Sequence, residues 1–346
     1  MMRRKLLLLG NNSIHTYNFY QLVKDYFDDI LLLTDKTGGS CEGLPVIALD
    51  YSPNPYKMLK AFSLTKRIIR EYRPTIIHGQ QINKALLFAV WANCRRKIPM
   101  VATAWGSDIL VIPNQNFVYR LIVKYILRTI PYFSSDSQFM AEQMNRIAGR
   151  KLDITIANFG IDVVENSLEK QNIIYSNRLH EKLYRIDRII SAFGEFSKTN
   201  PGWNLVVAAT GSETDKLKML VNQLGITDKV KFVGWLDKTQ NNYYYSIAKY
   251  WVSIPKSDAT SISLFEAMSF DCIPVVSDLP ANREWVKDGE NGLVVSDINS
   301  NFIALATDMP AEKVVRINRD IVMKNATKEA NKAKYLGIYK KILERQ

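Results

Sequence analysis

Short apolar runs that alternate with longer helical patterns constrain the fold of this chain more than any other feature. In the first half, each run of strand length is followed by a segment whose apolar residues recur at helical spacing. This alternation is typical of βαβ units, and it predicts a parallel sheet. The predicted strands are Lys5–Leu9, Asp29–Leu33, Thr75–His78, Met100–Thr103 and Tyr132–Ser134. The predicted helices are Tyr17–Tyr26, Lys57–Arg73, Lys84–Arg96, Phe117–Ile130 and Gln138–Ala148.

The same alternation restarts after a polar stretch at 163–171, which predicts a second α/β domain. The chain has 346 residues, a length that suits two domains of about 100–200 residues each. We place the domains at 1–165 and 166–325, with a C-terminal helix at 326–346 that is expected to return to the first domain. The predicted strands are Ile173–Tyr175, Asn204–Ala208, Lys231–Val233, Tyr250–Ile254, Ile273–Val276 and Gly292–Val295. The predicted helices are Arg185–Lys198, Thr214–Leu224, Gln240–Ala248, Ser263–Phe270 and Asn299–Asp308.

Two doubly wound, Rossmann-like domains are expected to face a cleft that binds a ligand. Parallel sheets bind ligands at the carboxyl ends of their strands, and clefts between domains are favoured pockets. The apolar content of 47% supports a packed globular chain rather than a disordered one. The three cysteines, Cys41, Cys94 and Cys272, are too scattered for a disulfide framework, so we expect reduced thiols in a cytoplasmic protein.

The basic excess is concentrated in one part of the chain. Residues 1–165 have a net charge of +8 and residues 326–346 of +4, whereas residues 166–325 are neutral. A one-sided basic field indicates nucleic acid, an anionic membrane or an acidic substrate as the partner, and general solubility is the alternative. The apolar run at Leu6–Leu9 is too short for a signal peptide, and no run reaches the ~18–20 residues of a membrane span.

The segment from Ser257 to Met268 is the most informative one for chemistry. A strand ends near Ile254, a small polar loop follows, and a helix is predicted from Ser263. Amides at a helix N-terminus favour an anion, and Asp258 and Glu266 are then expected to face a bound diphosphate. The alternative is that Ser263 and Glu266 only form an S-x-x-E capping box.

A second loop, at Ser176–Arg185, also leaves a strand and enters a helix. Arg178, Lys182 and Arg185 offer three cations for phosphate groups, although basic residues at a strand end are often only solvated.

Together these segments resemble the family-4 group of GT-B glycosyltransferases, which are retaining enzymes that use nucleotide-sugar donors. Asp258 and Glu266 have the spacing of that family's E-x7-E pair, with Asp in place of the first Glu. Asn158–Asp162 is similar to the join between the two domains. The segments that follow the pair along the chain, and the strand at Lys231–Val233, are also similar, and the resemblance covers nearly the whole chain.

The resemblance implies a role for each matching residue of the second domain. Arg178 corresponds to the Arg that contacts the donor diphosphate, and Asp258 to the acid near the donor sugar. Glu266 corresponds to the acid that accepts hydrogen bonds from the ribose. The family's Lys falls on Leu183, so Lys182 or Arg185 is expected to replace it. The resemblance also implies that amides at Ser261, Ile262 and Ser263 contact the diphosphate and that Gly234 and Trp235 hold the base.

The first domain departs from the family pattern at one position. Ala104–Asp108 resembles an H-G-S-D segment, but Trp105 replaces the His that often lies by the transferred sugar. We expect Trp105 and Asp108 on the acceptor side. His15 and His78 follow strands and are candidates for the vacant role, His15 in catalysis and His78 beside the sugar. The alternative for each histidine is a structural role, and His180 is expected at the surface.

The predicted helix Phe117–Ile130 combines cations with apolar residues. Arg120, Lys124 and Arg128 form a stripe at four-residue spacing, and the remaining residues are nearly all apolar or aromatic. Such a helix is typical of a membrane interface, and a core helix with one wet edge is the alternative.

We therefore predict a retaining glycosyltransferase that moves a sugar from a nucleotide-diphosphate sugar to a glycan or lipid-linked acceptor. The resemblance implies no essential metal and no other cofactor. Its expected setting is cell-surface polysaccharide assembly, such as lipopolysaccharide or capsule, as a peripheral protein on the cytoplasmic face of an anionic membrane. A GT-B sugar-nucleotide epimerase is the alternative. A nucleic-acid-binding protein is a remote one, because no helix-turn-helix, zinc-finger or RNP signature is present and we expect no nucleic-acid partner.

Overall fold

The computed structural model describes residues 3–35 and 43–344, and the chain divides into two compact units. The first unit runs to Gly160 and resumes at Lys328, and the second comprises Ile161–Thr327. The boundaries predicted from the sequence are 165 and 326. Cys94 and Cys272 are free thiols, and Cys41, the third predicted thiol, lies outside the described residues.

In the described part of the first unit, seven parallel strands form one sheet in the order β3-β2-β1-β4-β5-β6-β7. The strands are β1 (Lys5–Leu9), β2 (Asp29–Thr34), β3 (Val46–Ala48), β4 (Ile76–Gly79), β5 (Met100–Ala104), β6 (Tyr132–Ser135) and β7 (Asp153–Ile156). The edge strands β3 and β7 were not predicted. The helices between them are α1 (Ile14–Val23), α2 (Pro55–Tyr72), α3 (Lys84–Asn93), α4 (Ser107–Leu110), α5 (Ile112–Gln115), α6 (Phe117–Thr129) and α7 (Gln138–Ala148).

The second unit, all of which is described, contains a parallel sheet in the order β10-β9-β8-β11-β12-β13. Its strands are β8 (Gln171–Ser176), β9 (Asn204–Ala208), β10 (Val230–Gly234), β11 (Ala248–Ser253), β12 (Ile273–Ser277) and β13 (Leu293–Val295). Its helices are α8 (Ile186–Thr199), α9 (Thr214–Gln223), α10 (Lys238–Ile247), α11 (Ile262–Ser269), α12 (Pro280–Arg283), α13 (Phe302–Thr307) and α14 (Ala311–Asn325). The predicted α/β class with two parallel sheets is confirmed.

Each sheet is covered on both faces, as the continuous apolar runs require. Along β1, Leu7 and Leu9 join one buried cluster, whereas Leu6 and Leu8 join the cluster on the opposite face. Successive side chains of a strand point to opposite faces, so a run of four leucines fits only a strand that is buried on both sides.

The last helix, α15 (Lys328–Leu343), belongs to the first unit. Tyr335 and Tyr339 are fully buried in the same cluster as Leu6 and Leu8 of β1. The Tyr335 hydroxyl donates to the carbonyl oxygen of Ala157 at 3.2 Å. The chain thus leaves the first unit once and returns to complete its core.

Both sheets reverse their strand order at one point. In the first unit the reversal lies between β1 and β4, and in the second it lies between β8 and β11. Loops that leave neighbouring strands at such a point diverge to opposite faces of the sheet, and the crevice between them is where α/β proteins bind ligands. Each unit therefore has one edge at which a site is expected.

Candidate functional site

The two loops that carry the predicted donor-site residues lie side by side in the second unit. One follows β8 and the other follows β11, and these strands pair directly at the reversal point. The backbone N–H of Lys256 donates to the carbonyl oxygen of Leu183 at 2.8 Å, which joins the loops. Residues about 80 positions apart in sequence thus share one surface.

Arg178 and Asp258 form an ion pair across these loops. Arg178 Nη2 lies 2.6 Å from Asp258 Oδ2, and Arg178 Nη1 donates to Ser261 Oγ at 2.5 Å. The guanidinium also stacks over the Tyr184 ring, 4.6 Å from its centre. The two charged side chains are only 12% and 22% exposed. Burial raises the pKa of Asp258, and the charge of Arg178 opposes that rise.

Helix α11 begins beside this ion pair without a side-chain cap. Ser261 is the N-cap residue and makes no capping hydrogen bond, since its hydroxyl meets Arg178 instead. The alternative interpretation, in which Ser263 and Glu266 form a capping box, is wrong, because the helix begins at Ile262 and Ser263 already lies in its first turn. The first amides of a helix have no partner within it, so those of Ile262 and Ser263 suit an anion.

Glu266 lies one turn into α11 at the end of a buried polar network. Its Oε2 is 3.2 Å from the hydroxyl of Tyr245, which accepts a hydrogen bond from Asn177 Nδ2 at 2.8 Å. Trp251 Nε1 donates to Asn177 Oδ1 at 2.9 Å. Burial raises the pKa of Glu266, and the hydrogen bond from Tyr245 opposes the rise. Tyr245 thus holds the carboxylate by one hydrogen bond, and Asn177 and Trp251 hold the Tyr245 hydroxyl in turn.

Tyr245 and Asn177 belong to the site but are not predicted from the sequence. Tyr245 is the last of three consecutive tyrosines in α10. Such a run also occurs in half-buried helices without a site, so it does not indicate a function. Asn177 follows β8 directly, and its place at a strand end was the only available signal.

Lys182 and Arg185 line a different part of the same surface. They border a pocket of about 550 Å³ together with Lys256, which the sequence analysis did not single out. Arg185 adopts a left-handed backbone, with φ of 53°, immediately before α8. The structure brings together Arg178, Asp258 and Ser261, and it places Lys182 and Arg185 beside rather than within that group.

Gly234 is the last residue of β10 and Trp235 follows it, as expected for a turn at a strand end. Gly234 has φ of +69°, which favours glycine, and its carbonyl oxygen accepts from the N–H of Ala209 at 2.6 Å. Trp235 is 72% exposed. A large exposed ring at this edge of the sheet offers a stacking surface for a planar group.

In the first unit, His15 and Trp105 lie together near the ends of β1 and β5. Their ring centres are 6.3 Å apart, and both rings contact Phe159, at 5.6 and 5.4 Å. Desolvation lowers the pKa of His15, so the neutral imidazole is favoured at neutral pH. The structure thus places a histidine beside the tryptophan that occupies the family's histidine position.

Three polar residues are buried and cannot contact a substrate as they stand. His78 is fully buried between Tyr339 and Thr103, with its ring nitrogens at 2.6 and 2.8 Å from their hydroxyls, so its predicted place beside the sugar is wrong. Asp108 is 3% exposed, and its carboxylate accepts from the amides of Ile82, Trp105 and Gly106. His180, which was expected at the surface, is also buried. Its ring nitrogens bond the hydroxyl of Thr214 and the carbonyl oxygen of Ala208.

Two family models match most of the chain. The model described as glycosyl transferases group 1 matches residues 161–308, and the model described as glycosyl transferase 4-like matches residues 5–137. One curated relative is the alpha-monoglucosyldiacylglycerol synthase of Streptococcus pneumoniae, 22% identical over 61% of this chain and 53% of that protein. Another is the lipopolysaccharide core biosynthesis glycosyltransferase LpsE of Rhizobium meliloti, 31% identical over 28% of this chain and 27% of that protein. The chain spans about half or less of the length of the curated relatives it matches.

A solved structure covers nearly the whole chain. The Anabaena protein HepE in complex with UDP superposes with a TM-score of 0.82, at 13% identity, over 98% of this chain and 100% of that one. At this identity the likeness shows the fold, which is GT-B. The two family models together match residues 5–137 and 161–308, and they show that the chain belongs to the group 1 glycosyltransferases.

Proposed function

We propose that the protein transfers a sugar from a nucleotide-diphosphate sugar to an acceptor hydroxyl with retention of the anomeric configuration. The observation that carries this proposal is the ion pair of Arg178 and Asp258 beside the uncapped start of α11. As the bond to the sugar breaks, negative charge builds up on the departing diphosphate. Arg178 and the first amides of α11 are preorganised donors for that charge.

The other residues of the second unit are assigned around this centre. Asp258 would lie by the donor sugar, and Glu266 would accept from the ribose hydroxyls, because the network through Tyr245 holds its carboxylate in place. Trp235 would stack on the base. Lys182, Arg185 or Lys256 would supply a second cation to the diphosphate. We propose that these groups bind the diphosphate without a metal ion, so turnover is expected to persist in EDTA.

His15 is the residue we assign to the vacant histidine position of the first unit. It lies next to Trp105 and Phe159, and its neutral imidazole can accept a hydrogen bond from a hydroxyl. Trp105 would then present an apolar face to the sugar or the acceptor.

Helix α6 supports a peripheral role at an anionic membrane. Its outward face carries Phe117, Val118, Leu121 and Tyr125, which are 73, 65, 51 and 45% exposed. The basic stripe of Arg120, Lys124 and Arg128 is exposed on the same helix. Exposed apolar residues that alternate with cations suit a lipid interface, since a core helix would bury them. Within the described ranges, no helix has the length and hydropathy needed to cross a bilayer.

We therefore assign the acceptor to lipid-linked or cell-surface glycan assembly at the cytoplasmic membrane face. The relatives' names support this assignment, since one is an alpha-monoglucosyldiacylglycerol synthase and another a lipopolysaccharide core biosynthesis glycosyltransferase.

A screen of nucleotide sugars tests the donor. A matching donor is expected to raise the melting temperature by mass action, and Arg178→Ala should abolish that rise. A screen in which no nucleotide sugar and no nucleoside diphosphate stabilises the protein would contradict the proposal. Product analysis without acceptor then separates a transferase from an epimerase, because only an epimerase inverts a stereocentre of the donor sugar, whereas a transferase at most hydrolyses the donor.

A further inference from the structure

The loop between β11 and α11, residues 254–261, is anchored by a tryptophan from a later part of the chain. Trp285 Nε1 donates to the hydroxyl oxygen of Thr260 at 3.1 Å. Thr260 is buried, and it directly precedes Ser261, the N-cap residue of α11. The bond therefore holds the stretch that leads into the uncapped helix start. We call residues 254–261 the donor loop, because they carry Asp258 and Ser261.

The Trp285 ring also packs against the helix that follows the donor loop. Its centre lies 4.9 Å from that of the Phe265 ring, in an edge-to-face arrangement. Phe265 is fully buried and lies in the first turn of α11. One side chain thus contacts both the donor loop and the start of α11, and it fixes the two relative to each other.

The backbone of Trp285 is in turn held by a buried pair of asparagines. Asn291 Nδ2 donates to the carbonyl oxygen of Trp285 at 2.9 Å and to Asn318 Oδ1 at 2.8 Å. Asn318, on α14, donates to the carbonyl oxygen of Asn291 at 2.9 Å. Both asparagines are buried, so these bonds form away from water and are strong. The anchor of the donor loop is therefore itself attached to α14.

The anchor differs from the contacts that Arg178 makes with the same loop. Arg178 bonds Asp258 and Ser261 through its guanidinium. A diphosphate that binds Arg178 would compete with these two residues for the same N–H donors. The bond from Trp285 is not part of that competition, so it can hold the loop while Arg178 engages a ligand.

We propose that Trp285 is a positioning residue, which acts through Thr260 to keep Asp258 and the first amides of α11 aligned on the donor diphosphate. The proposal rests on the transferase function proposed above. Negative charge on the departing diphosphate is largest in the transition state, so donors that are fixed in advance stabilise that state more than the bound substrate. Loss of the anchor should therefore reduce kcat more than it raises the KM for the donor.

A double-mutant cycle tests the anchor on the full chain. Trp285→Phe keeps a ring beside Phe265 but removes the indole N–H, and Thr260→Val removes the hydroxyl group. Each should lower kcat at least tenfold and change the donor KM less than threefold. The assay is release of the nucleoside diphosphate from the nucleotide sugar that stabilises the wild type. The double variant should be no slower than the slower single variant, because both substitutions remove the same bond.

Two controls separate the bond from general packing. Thr260→Ser keeps a hydroxyl group, so its kcat should lie within threefold of the wild type. Trp203→Phe removes another partly buried indole of the second unit, one that packs against Phe196 and Tyr250. Trp203 directly precedes β9, so it lies at the opposite edge of the sheet from the donor loop. This variant should keep the kcat of the wild type.

Hydrogen exchange of the free protein gives a readout that needs no nucleotide. Peptides that cover residues 254–264 should exchange faster in Trp285→Phe and in Thr260→Val than in the wild type and in Trp203→Phe. Unchanged exchange, additive losses of kcat in the cycle, or an equal loss in the Trp203→Phe control would overturn the proposal. A wild type whose loop responds to both substitutions but which binds no nucleotide would instead overturn the proposed function alone.

Discussion

Glu266→Gln is predicted to stabilise the free protein and to weaken the donor complex. Burial raises the pKa of the Glu266 carboxyl above 4.5, and the bond from Tyr245 only partly opposes the rise. The folded protein therefore binds this proton more tightly than the unfolded chain does. By linkage, the free energy of unfolding falls as the pH rises from 4.5, the pKa of the unfolded chain, to the higher pKa of the folded protein, and it stays lowered above that pH.

Glutamine removes that cost and keeps an oxygen that can accept from Tyr245. The free variant should therefore melt at a higher temperature than the wild type at pH 7.5, and the difference should vanish near pH 4. Donor binding should change in the opposite direction. A carboxylate that accepts from ribose hydroxyls contributes about 1.5–3 kcal/mol, so its neutralisation should raise the Kd of the donor by roughly 10- to 150-fold.

Differential scanning fluorimetry between pH 4 and 8 measures the first effect, and calorimetric titration with the nucleoside diphosphate measures the second. Glu195→Gln is the matched control, because Glu195 lies on α8, is exposed and pairs only with Lys198 among the ion pairs of the second unit. It should change neither quantity. A lower melting temperature for Glu266→Gln at pH 7.5, or a donor Kd within twofold of the wild type, would refute the reasoning.

Three further predictions concern other parts of the chain. Arg178→Ala should reduce turnover by at least a hundredfold. It should also destabilise the protein, because it leaves the Asp258 carboxylate partly buried without its counter-charge. Steady-state kinetics and urea unfolding measure the two effects, and near-normal turnover would show that Arg178 is not part of the site. Replacing the basic stripe of α6 with glutamates should abolish salt-sensitive binding to anionic vesicles in sedimentation assays, since each cation contributes about 1 kcal/mol, while turnover on a soluble acceptor should persist. Burial lowers the pKa of His78 to about 3, so wild-type stability should fall as the pH drops from 6.5 towards 3, by about 1.4 kcal/mol per pH unit. His78→Gln should flatten that slope in urea titrations, and an unchanged slope would contradict the burial argument.

The fold was predictable because the core strands are continuous apolar runs and the core helices have apolar residues at helical spacing. Runs such as Leu6–Leu9 fit only strands buried on two faces, and the helices between them carry one apolar side. The edge strands β3 and β7 escaped prediction because they are short and partly exposed, so their side chains carry no clear pattern. Helix α14 was missed as well, although its apolar residues recur at helical spacing.

Burial of single polar residues could not be predicted from local sequence. His78 follows a strand, as a site residue would, but its partner Tyr339 lies 261 positions later in the chain. His180 is held by Thr214 and Ala208, from the next strand and helix. The spacing of Asp258 and Glu266 was informative because both lie on one loop and helix, whereas the Glu266 network joins three separate elements.

The position of the proposed second phosphate cation cannot be predicted from its distance in sequence after Arg178, because that count falls on Leu183. The chain between β8 and α8 is fixed by three contacts: Tyr184 stacks on Arg178, the Leu183 carbonyl accepts from Lys256, and Arg185 takes a left-handed backbone just before the helix. The side-chain place next to Arg178 is therefore filled by an aromatic ring, which stabilises a single guanidinium instead of repelling it as a second cation would. The proposed second cation for the diphosphate is therefore expected from the neighbouring pocket, which Lys182, Arg185 and Lys256 line, so its position depends on the path of the turn and not on the number of residues after Arg178.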